Sequence, residues 1–300
     1  MSPSSSAIPI VDGHHHIWRR ADLNWLNGPM VPRIFGPYEP IRRDYPIAEY
    51  RADVADSGVE ASVYVQTNWG PGTAVKEVEW VSEVADATGW PTAIVGWADL
   101  SCDDAVETFA AQAKFSRMRG IRMQLHWHEN AQYRFAPSAE QINDPVIAAN
   151  IARLADFGWS FDLQVFAGQM AAAARLAAKT PAVTFVLQHC GMPEDLSPAG
   201  RAAWREGTQR LAGEPNVVAK LSGLGTFVHT VDEGLIADIV GETHALFGAD
   251  RCLFGSNFPI EKLWTSYGGL AGAYRRVLAA YPESEQRAML GGTARRVYRL

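Results

Sequence analysis

Short apolar runs rich in β-branched residues alternate along the chain with longer, alanine-rich amphipathic segments. Apolar runs of this length predict strands buried on both faces, as in a parallel sheet covered by helices. The longer segments carry apolar residues at the spacing of one helix face. The runs predict eight strands, at residues 8–12, 61–65, 93–97, 120–125, 160–165, 184–188, 217–221 and 252–255. The segments between and after them predict eight helices, at residues 47–57, 73–88, 103–114, 145–157, 169–179, 199–212, 232–247 and 267–280.

Helix start signals support three of these helices. Asp144 and Ser197 each stand before a proline, the arrangement of an N-cap residue followed by proline in the first turn. Thr230 stands three residues before Glu233, which fits a capping box at the start of the seventh helix.

Eight strands that each precede a helix predict a (β/α)8 TIM barrel, an α/β fold, in a single domain over residues 8–300. Residues 1–7 are rich in serine and are predicted to be a disordered tail. An open, doubly wound sheet is the alternative fold, because a strand count changed by one or two would fit it as well.

Two connections are longer than an ordinary loop between strand and helix. Residues 17–46 and 126–143 are rich in aromatic and basic side chains, and each follows a predicted strand. In a barrel both would lie over the C-terminal ends of the strands, where active sites of this fold are built. We expect these loops to form a lid over a substrate.

The charge balance limits the possible partners. With 27 basic and 33 acidic residues the net charge is −6, and the absence of a basic stripe argues against nucleic acid and anionic membranes. A small molecule is the expected partner, and monomer and homodimer are both compatible with the sequence. Three cysteines without a CxxC pair argue against a disulfide framework and favour the cytoplasm. We expect no signal peptide and no membrane-spanning helix, because neither pattern is found.

The first predicted strand ends in three consecutive histidines. Side chains alternate along a strand, so His14 and His16 point to one side and His15 to the other. Two imidazoles on one face can bind one divalent ion, with bonds of about 2.0–2.1 Å. A polar strand end without chemistry is the alternative. His189 follows the sixth strand directly, and its alternative is a hydrogen-bonded core histidine.

Arg122 lies inside the apolar fourth strand, where a charged group is costly unless it meets an anion. That anion is either a substrate or a structural partner, for which Asp162 and Asp99 are candidates. Polar residues also end two other strands, at Gln66 and Asn257.

Five segments together resemble one enzyme family. In chain order they are VDGHHHIW, RGIRMQLHWHE, VLQHCG, CLFGSNFPIEKL and GGTARRVYRL. Each is weak alone, but the ordered set, which spans nearly the whole chain, resembles the amidohydrolase-related (amidohydrolase 2) branch of the amidohydrolase superfamily. The similarity is closest to its lactonase-like members, such as 2-pyrone-4,6-dicarboxylate lactonase and the sugar lactonases.

The resemblance implies a catalytic site at the mouth of the barrel. His14 and His16 match the family's HxH pair, and His189 matches its later-strand histidine. In the family such histidines act on the substrate directly or hold one divalent metal ion, so zinc at these three residues and metal-independent catalysis are both expected possibilities. Arg122 matches an arginine that meets a substrate carboxylate or carbonyl. The family's catalytic aspartate at the end of strand eight is replaced here by Asn257.

This departure bears on the mechanism, because an amide has no titratable base. The base would then be His189, a metal-bound hydroxide, or one of the loop histidines His126 and His128. A zinc-bound water titrates near pH ~7, so a metal could replace a separate base. Asn257 keeps a catalytic place by orienting the water or by ligating a metal through its oxygen. The residues expected to position the substrate are Arg122, Gln66, His126, Trp127, His128, Arg33, Tyr38 and Trp18.

The sequence thus predicts a hydrolase of the lactonase type. It would open a lactone of a sugar acid, or of a dicarboxylate from aromatic catabolism, by attack of water on a carbonyl held by the histidines. A lactone isomerase or decarboxylase on the same scaffold is a second interpretation, because isomerisation needs no activated water. A barrel that binds a ligand without catalysis is the third.

Overall fold

The computed structural model describes residues 8–300 and forms a barrel of eight parallel strands, which confirms the predicted fold. Strands pair in chain order from the first to the eighth. They are β1 (Ile10–His15), β2 (Val59–Val65), β3 (Ala93–Gly96), β4 (Met118–Ile121), β5 (Ser160–Leu163), β6 (Phe185–Leu187), β7 (Val217–Leu221) and β8 (Cys252–Phe254). The predicted disordered tail, residues 1–7, lies outside the described residues.

A helix follows each strand and covers the outside of the barrel. These helices are α1 (Ile47–Val54), α2 (Ala74–Thr88), α3 (Ala105–Gln112), α4 (Pro145–Arg153), α5 (Met170–Lys179), α6 (Pro198–Ala212), α7 (Glu233–Phe247) and α8 (Tyr267–Leu278). The long loop after β1 adds a single helical turn, Asn24–Asn27.

The helix caps follow the predictions at two of three positions. The side chains of Asp144 and Ser197 accept hydrogen bonds from backbone N–H groups of the first turns of α4 and α6, at 2.8 and 3.2 Å. At α7 the predicted capping box is wrong. The side chain of Asp232 accepts the N–H bond there at 3.0 Å, because Asp232 directly precedes the first helical residue while Thr230 lies outside the turn.

A helical segment that the sequence did not predict closes the N-terminal end of the barrel. It comprises Glu283–Arg287, a π-helical turn Ala288–Gly292 and Thr293–Tyr298. Tyr298 is fully buried and packs with the apolar residues of the barrel interior. Its hydroxyl donates to the Asp162 carboxylate at 3.2 Å.

Above this apolar layer the interior of the barrel becomes polar. Asp162 on β5 and Lys220 on β7 are both fully buried and form an ion pair of 2.8 Å. Gln188 donates a second hydrogen bond to the same carboxylate at 2.9 Å. The ion pair forms the floor on which the residues at the mouth of the barrel rest.

The Asp12 carboxylate joins β1 to the loop after β8 and so closes the ring of strands. One oxygen accepts the backbone N–H of Ser256 at 2.8 Å, and the other accepts its hydroxyl at 2.6 Å. The hydroxyls of Tyr50 on α1 and Tyr267 on α8 donate to the second oxygen as well, at 2.9 and 3.1 Å. The backbone carbonyl of His14, two residues further on, accepts the N–H of residue 257 at 2.7 Å.

Replacing Asp12 with asparagine should lower the free energy of unfolding by about 2 kcal/mol, because the new amide N–H group faces hydroxyl donors in a buried site. Urea unfolding measures the loss. The control is Asp156→Asn, which removes an exposed partner of Arg153 and should change stability by less than about 0.5 kcal/mol. Equal stability of the Asp12 variant and wild type would contradict this role of the carboxylate.

No helix within residues 8–300 is long and apolar enough to cross a membrane. The three cysteines, Cys102, Cys190 and Cys252, are free thiols. The cytoplasmic location stays a prediction.

Candidate active site

A cavity of about 330 Å³ lies at the C-terminal ends of the strands, under the loop after β1 and the loop after β4. The strand ends contribute its polar floor, which consists of His16, Arg122, Gln124, Gln164, His189 and Asn257. The loops contribute aromatic and basic walls, among them Trp18, Trp25, Arg33, Phe35, Trp69 and Tyr133. None of the described residues that line the cavity is Asp or Glu.

The end of β1 directs two of its three histidines inwards. The pairing of β1 with β2 shifts register between Asp12 and His15, so the interior face changes along the strand. The ring of His15 stacks on that of Tyr50, with centroids 3.8 Å apart, on the helix side of the barrel. His14 and His16 face the interior, where their Nε2 atoms are 3.3 Å apart.

The partners of these two imidazoles fix which nitrogen carries the proton. His16 Nδ1 lies 2.6 Å from the carbonyl oxygen of Val65, so it carries the hydrogen and Nε2 is an acceptor. His14 Nδ1 lies 3.5 Å from the Lys220 ammonium group, so Nδ1 accepts and Nε2 carries the hydrogen. The two Nε2 atoms therefore offer the cavity one donor, from His14, and one acceptor, from His16.

His189 lies in a strained turn at the end of β6. Its φ is +52°, and Cys190 and Met192 also have positive φ values, of +51° each. Backbone strain of this kind is kept where the surrounding structure holds a side chain in a required place. His189 Nδ1 lies 2.8 Å from the hydroxyl of Ser222. Its ring centroid is 4.8 Å from that of His14.

Burial keeps the histidines of the site neutral. Loss of hydration, followed by the positive charges of Lys220 and Arg122, holds the pKa values of His14 and His189 well below the ordinary value. Burial and then Arg122 do the same to the pKa of His16. At neutral pH these imidazoles therefore act as hydrogen-bond donors and acceptors and not as cations.

Arg122 places a buried cation beside them. Its side chain donates to the carbonyl oxygen of Gln66 at 2.5 Å, and its Nε has no hydrogen-bond partner among the described residues. Neither structural partner considered from sequence neutralises it, because Asp162 pairs with Lys220 and Asp99 accepts the bonds of Ser101. Burial lowers the Arg122 pKa to about 10, so the guanidinium stays charged at neutral pH.

Asn257 occupies the position after β8 with φ +56°, a left-handed conformation that asparagine and aspartate tolerate better than most residues. Its side chain lies between His16 and the carboxyl of Glu261. The residue therefore reaches both the cavity and a buried acid behind it.

The remaining predicted site residues divide between the cavity and its support. Trp18, Arg33 and His126 line the cavity. Gln66 lies beneath it and donates to the carbonyl oxygen of Arg122 at 3.2 Å. Four others do not line it: His14, which is fully buried behind His16, and Tyr38, Trp127 and His128. The catalytic and binding roles of the predicted residues stay predictions.

Sequence reasoning missed several residues of this site. Gln124 and Gln164 line the cavity. Lys220 lies beside His14, and Ser222 beside His189, within hydrogen-bond distance. The signal used for Arg122, a charged residue inside an apolar strand, was also present at Lys220. Glu261 had no such signal, because it lies in a loop.

The histidine pair fits part of a metal site. Two nitrogen ligands of one tetrahedral zinc ion at 2.0–2.1 Å lie about 3.3–3.4 Å apart, which matches the separation of the Nε2 atoms of His14 and His16. Within residues 8–300, however, no three His, Cys, Asp or Glu side chains are grouped closely enough to hold an ion. The Lys220 ammonium beside His14 also adds positive charge. The donors present thus do not form a complete metal site.

Comparisons with known proteins agree with this geometry. Residues 11–300 match a family model described as Amidohydrolase. The chain is 32% identical to an uncharacterized protein of Sinorhizobium fredii over 98% of this chain and 100% of that protein. It is 29% identical to an L-fucono-1,5-lactonase of Burkholderia ambifaria over 86% of this chain and 83% of that enzyme.

Solved structures are similar over the same extent. An amidohydrolase from Burkholderia multivorans with bound zinc is 28% identical, covers 97% of this chain with 99% of its own, and has a TM-score of 0.82. A putative 2-pyrone-4,6-dicarboxylic acid hydrolase from Pseudomonas putida has a TM-score of 0.73 at 19% identity, with 98% of each chain covered. This second likeness supports the fold alone.

Proposed function

We propose that this chain, a hydrolase that belongs to the amidohydrolase family, opens a lactone ring by attack of water on its carbonyl. One observation carries the proposal: His16, which lines the cavity, and the fully buried His14 directly behind it offer an acceptor and a donor 3.3 Å apart. The similarity to L-fucono-1,5-lactonases supports a cyclic ester as the substrate.

In the proposed reaction His14 Nε2–H donates to the lactone carbonyl oxygen, exchanging the bond it makes to His16 in the free enzyme. The charge that develops on this oxygen is stabilised by the N–H group and by the buried Arg122 guanidinium. The ammonium of Lys220 keeps the proton of His14 on Nε2, where the carbonyl needs it.

Water attacks from the side of Asn257 and His16. The Asn257 carbonyl oxygen orients the water, and His16 Nε2 accepts its proton as the new C–O bond forms. As the ring C–O bond breaks, His16 passes the proton it took from water to the ring oxygen, and the N–H group of neutral His189 donates a hydrogen bond to the same oxygen. All the histidines are then neutral again, so the products are the hydroxy acid and the resting enzyme.

We propose that Arg122 meets an anionic or polarised oxygen of the substrate, because it is buried without a carboxylate partner among the described residues. A lactone of an aromatic-catabolism dicarboxylate offers it a free carboxylate, whereas a lactone of a sugar monoacid offers it only the ring carbonyl. The lining contains amide groups for hydroxyls as well as aromatic walls for a flat ring.

Replacing Arg122 with methionine is expected to lower kcat/KM for a carboxylated lactone by about 10²-fold, because a charge-assisted bond in a buried site is lost. For an uncharged lactone of the same ring size the loss should be at least several-fold smaller. Initial rates on the matched pair measure the difference. Arg153→Met is the control, since Arg153 is an exposed arginine that pairs with Asp156 and does not line the cavity. Equal losses on both lactones would contradict a carboxylate subsite at Arg122.

Hydrolysis is distinguished from isomerisation by running the reaction in 18O-labelled water. The proposed function requires one label in the carboxylate of the ring-opened acid. A product of unchanged mass without label would favour the lactone isomerase, and release of CO2 the decarboxylase. A thermal shift with lactones but no product would favour a non-catalytic binding protein.

A divalent ion at His14, His16 and His189 stays a proposal beside this direct mechanism. Since the donors present within residues 8–300 do not form a complete metal site, no step of the proposed reaction passes through a metal ion. Metal analysis by mass spectrometry, on protein purified without a polyhistidine tag, tests for the ion. One ion per chain that is lost in His14→Ala would support the metal.

A further inference from the structure

Glu261 is a buried acid that the proposed reaction does not use. It is only 1% exposed and lies one turn after Asn257. The backbone carbonyl oxygen of Asn257 accepts the backbone N–H of Glu261 at 3.3 Å. The Oε2 atom of Glu261 accepts a hydrogen bond from Trp264 Nε1 at 2.7 Å. Burial raises the pKa of Glu261 to about 8. Burying a carboxyl group that is not fully hydrogen-bonded lowers the stability of the fold, which suggests a functional reason for it.

The surroundings of this acid are shaped to accommodate it. A Cβ atom on Gly225 would lie 2.6 Å from Glu261 Oε2 and 2.4 Å from Trp264 Nε1, so only glycine fits at this position. Glu261 Oε1 has no hydrogen bond of ordinary geometry to any described residue. One carboxyl oxygen is therefore held, and the other is left for the amide of Asn257.

The place of Asn257 decides which way its amide is best oriented. Asn257 lines the cavity, and its side chain also lies beside the Glu261 carboxyl. The free carboxylate oxygen can only accept a hydrogen bond, so it is satisfied when the amide N–H group faces Glu261. The amide oxygen is then left for the cavity.

We propose that Glu261 is a positioning residue that holds the nitrogen of the Asn257 side chain, so that the amide oxygen faces the cavity and orients the attacking water. This inference rests on the proposed hydrolysis. An aspartate at the end of the strand offers water a fixed acceptor oxygen. Asn257 alone does not, because its amide can turn, and Glu261 would fix it.

The two protonation states of Glu261 then have opposite effects. The ionised carboxylate accepts from the amide N–H and keeps the oxygen of Asn257 towards the cavity. The neutral acid carries its hydrogen on Oε1, because Oε2 is occupied by Trp264. It then donates to the amide oxygen and turns the N–H group of Asn257 towards the water. Activity should therefore rise with pH as Glu261 ionises.

Other ionisable groups near Glu261 are few. The hydroxyl of Tyr274 on α8 is buried without a partner and borders, with Asp232 of the α7 cap, a void of about 10 Å³ beside Glu261. His229 packs against the far side of Trp264, with ring centroids 5.9 Å apart. Lys262 is turned away, with its ammonium bound to Asp53 at 2.7 Å.

The test is the pH dependence of kcat/KM in wild type, Glu261→Gln and Trp264→Phe. In Glu261→Gln the amide oxygen accepts from Trp264, so its NH2 group faces Asn257 and locks the unproductive orientation. We expect kcat/KM at pH 9 to fall by about 10–100-fold, with KM within about twofold, and the alkaline rise to disappear. In Trp264→Phe the loss of a donor to the carboxylate should move the rise to higher pH without removing it.

Glu77→Gln is the matched control, because Glu77 is also a buried acid whose burial raises its pKa, but its hydrogen bonds come from Tyr64 and Thr67 and not from Asn257. Its profile should keep the alkaline rise. An unchanged rise in Glu261→Gln would overturn the positioning role while leaving the hydrolysis in place.

Failure of the proposed function is recognised separately, as a wild type that opens no lactone. The coupling is then decided by NMR of asparagine-labelled protein, in which Asn257→Ala identifies the side-chain amide of Asn257. That resonance must shift with pH in wild type and not in Glu261→Gln. A pH-independent resonance in both proteins would overturn the coupling.

Discussion

Replacing His14 with alanine is expected to reduce kcat for lactone hydrolysis by about 10³-fold, with the fold intact. His14 Nε2–H is the donor aimed at the carbonyl oxygen, and loss of one such donor costs about 10²–10³ in kcat. The loss also removes the group that separates Lys220 from the bound substrate. Steady-state rates on a lactone that the wild type opens measure the effect, and the circular dichroism spectrum confirms that the barrel is folded.

The adjacent histidine offers a matched control. His15 faces the opposite side of β1, where its ring stacks on Tyr50 and its two ring nitrogens have no hydrogen-bond partner among the described residues. His15→Phe keeps the stacked ring and should leave kcat within about threefold of wild type, since packing is conserved. Activity retained in pure His14→Ala, or an equal loss in His15→Phe, would remove His14 from the proposed mechanism.

The largest loss of stability is expected from breaking the ion pair of Asp162 and Lys220. Lys220→Met leaves a carboxylate fully buried without its counter-charge, which should lower the free energy of unfolding by about 3–5 kcal/mol. The double variant Asp162→Asn, Lys220→Met removes both charges and should recover much of this loss. Urea unfolding of the two variants and wild type measures both effects.

The same variants separate stability from catalysis. The double variant is more stable than Lys220→Met, but both lack the ammonium that holds the proton of His14 on Nε2. We expect kcat to stay low in both. A double variant that regained wild-type activity would show that Lys220 acts on the fold alone, and a single variant as stable as wild type would contradict the buried pair.

The barrel could be predicted because the two kinds of element leave different patterns in the sequence. Strands buried on both faces appear as short apolar runs, and amphipathic helices appear as apolar residues at helical spacing. The ends of the elements were less predictable. The fourth strand was expected at residues 120–125 but runs over Met118–Ile121, because Arg122 and the polar residues after it turn to the cavity. The closing segment around Tyr298 was missed because its short helices are interrupted by Gly291 and Gly292.

The site was predictable where position along a strand decides direction. His14, His16, His189 and Arg122 were found because they stand at or inside strand ends, which point to one mouth in a barrel. The proton positions on the two Nε2 atoms were not predictable, because they depend on a carbonyl of β2 and an ammonium of β7. Glu261 was not predictable either, because no local pattern signals that the carboxyl of a loop residue is buried beside Asn257.

The unpaired guanidinium at the base of the cavity also has a consequence for turnover. Opening a lactone creates one more carboxylate than the substrate had, and no acidic side chain among the described residues of the cavity wall repels it. Under the proposed reaction, Arg122 would attract the hydroxy acid more strongly than the substrate, because the acid carries one more negative charge. Release of the acid, and not cleavage of the ring, would then be rate-limiting. Accumulated acid would inhibit the enzyme by competing with the substrate.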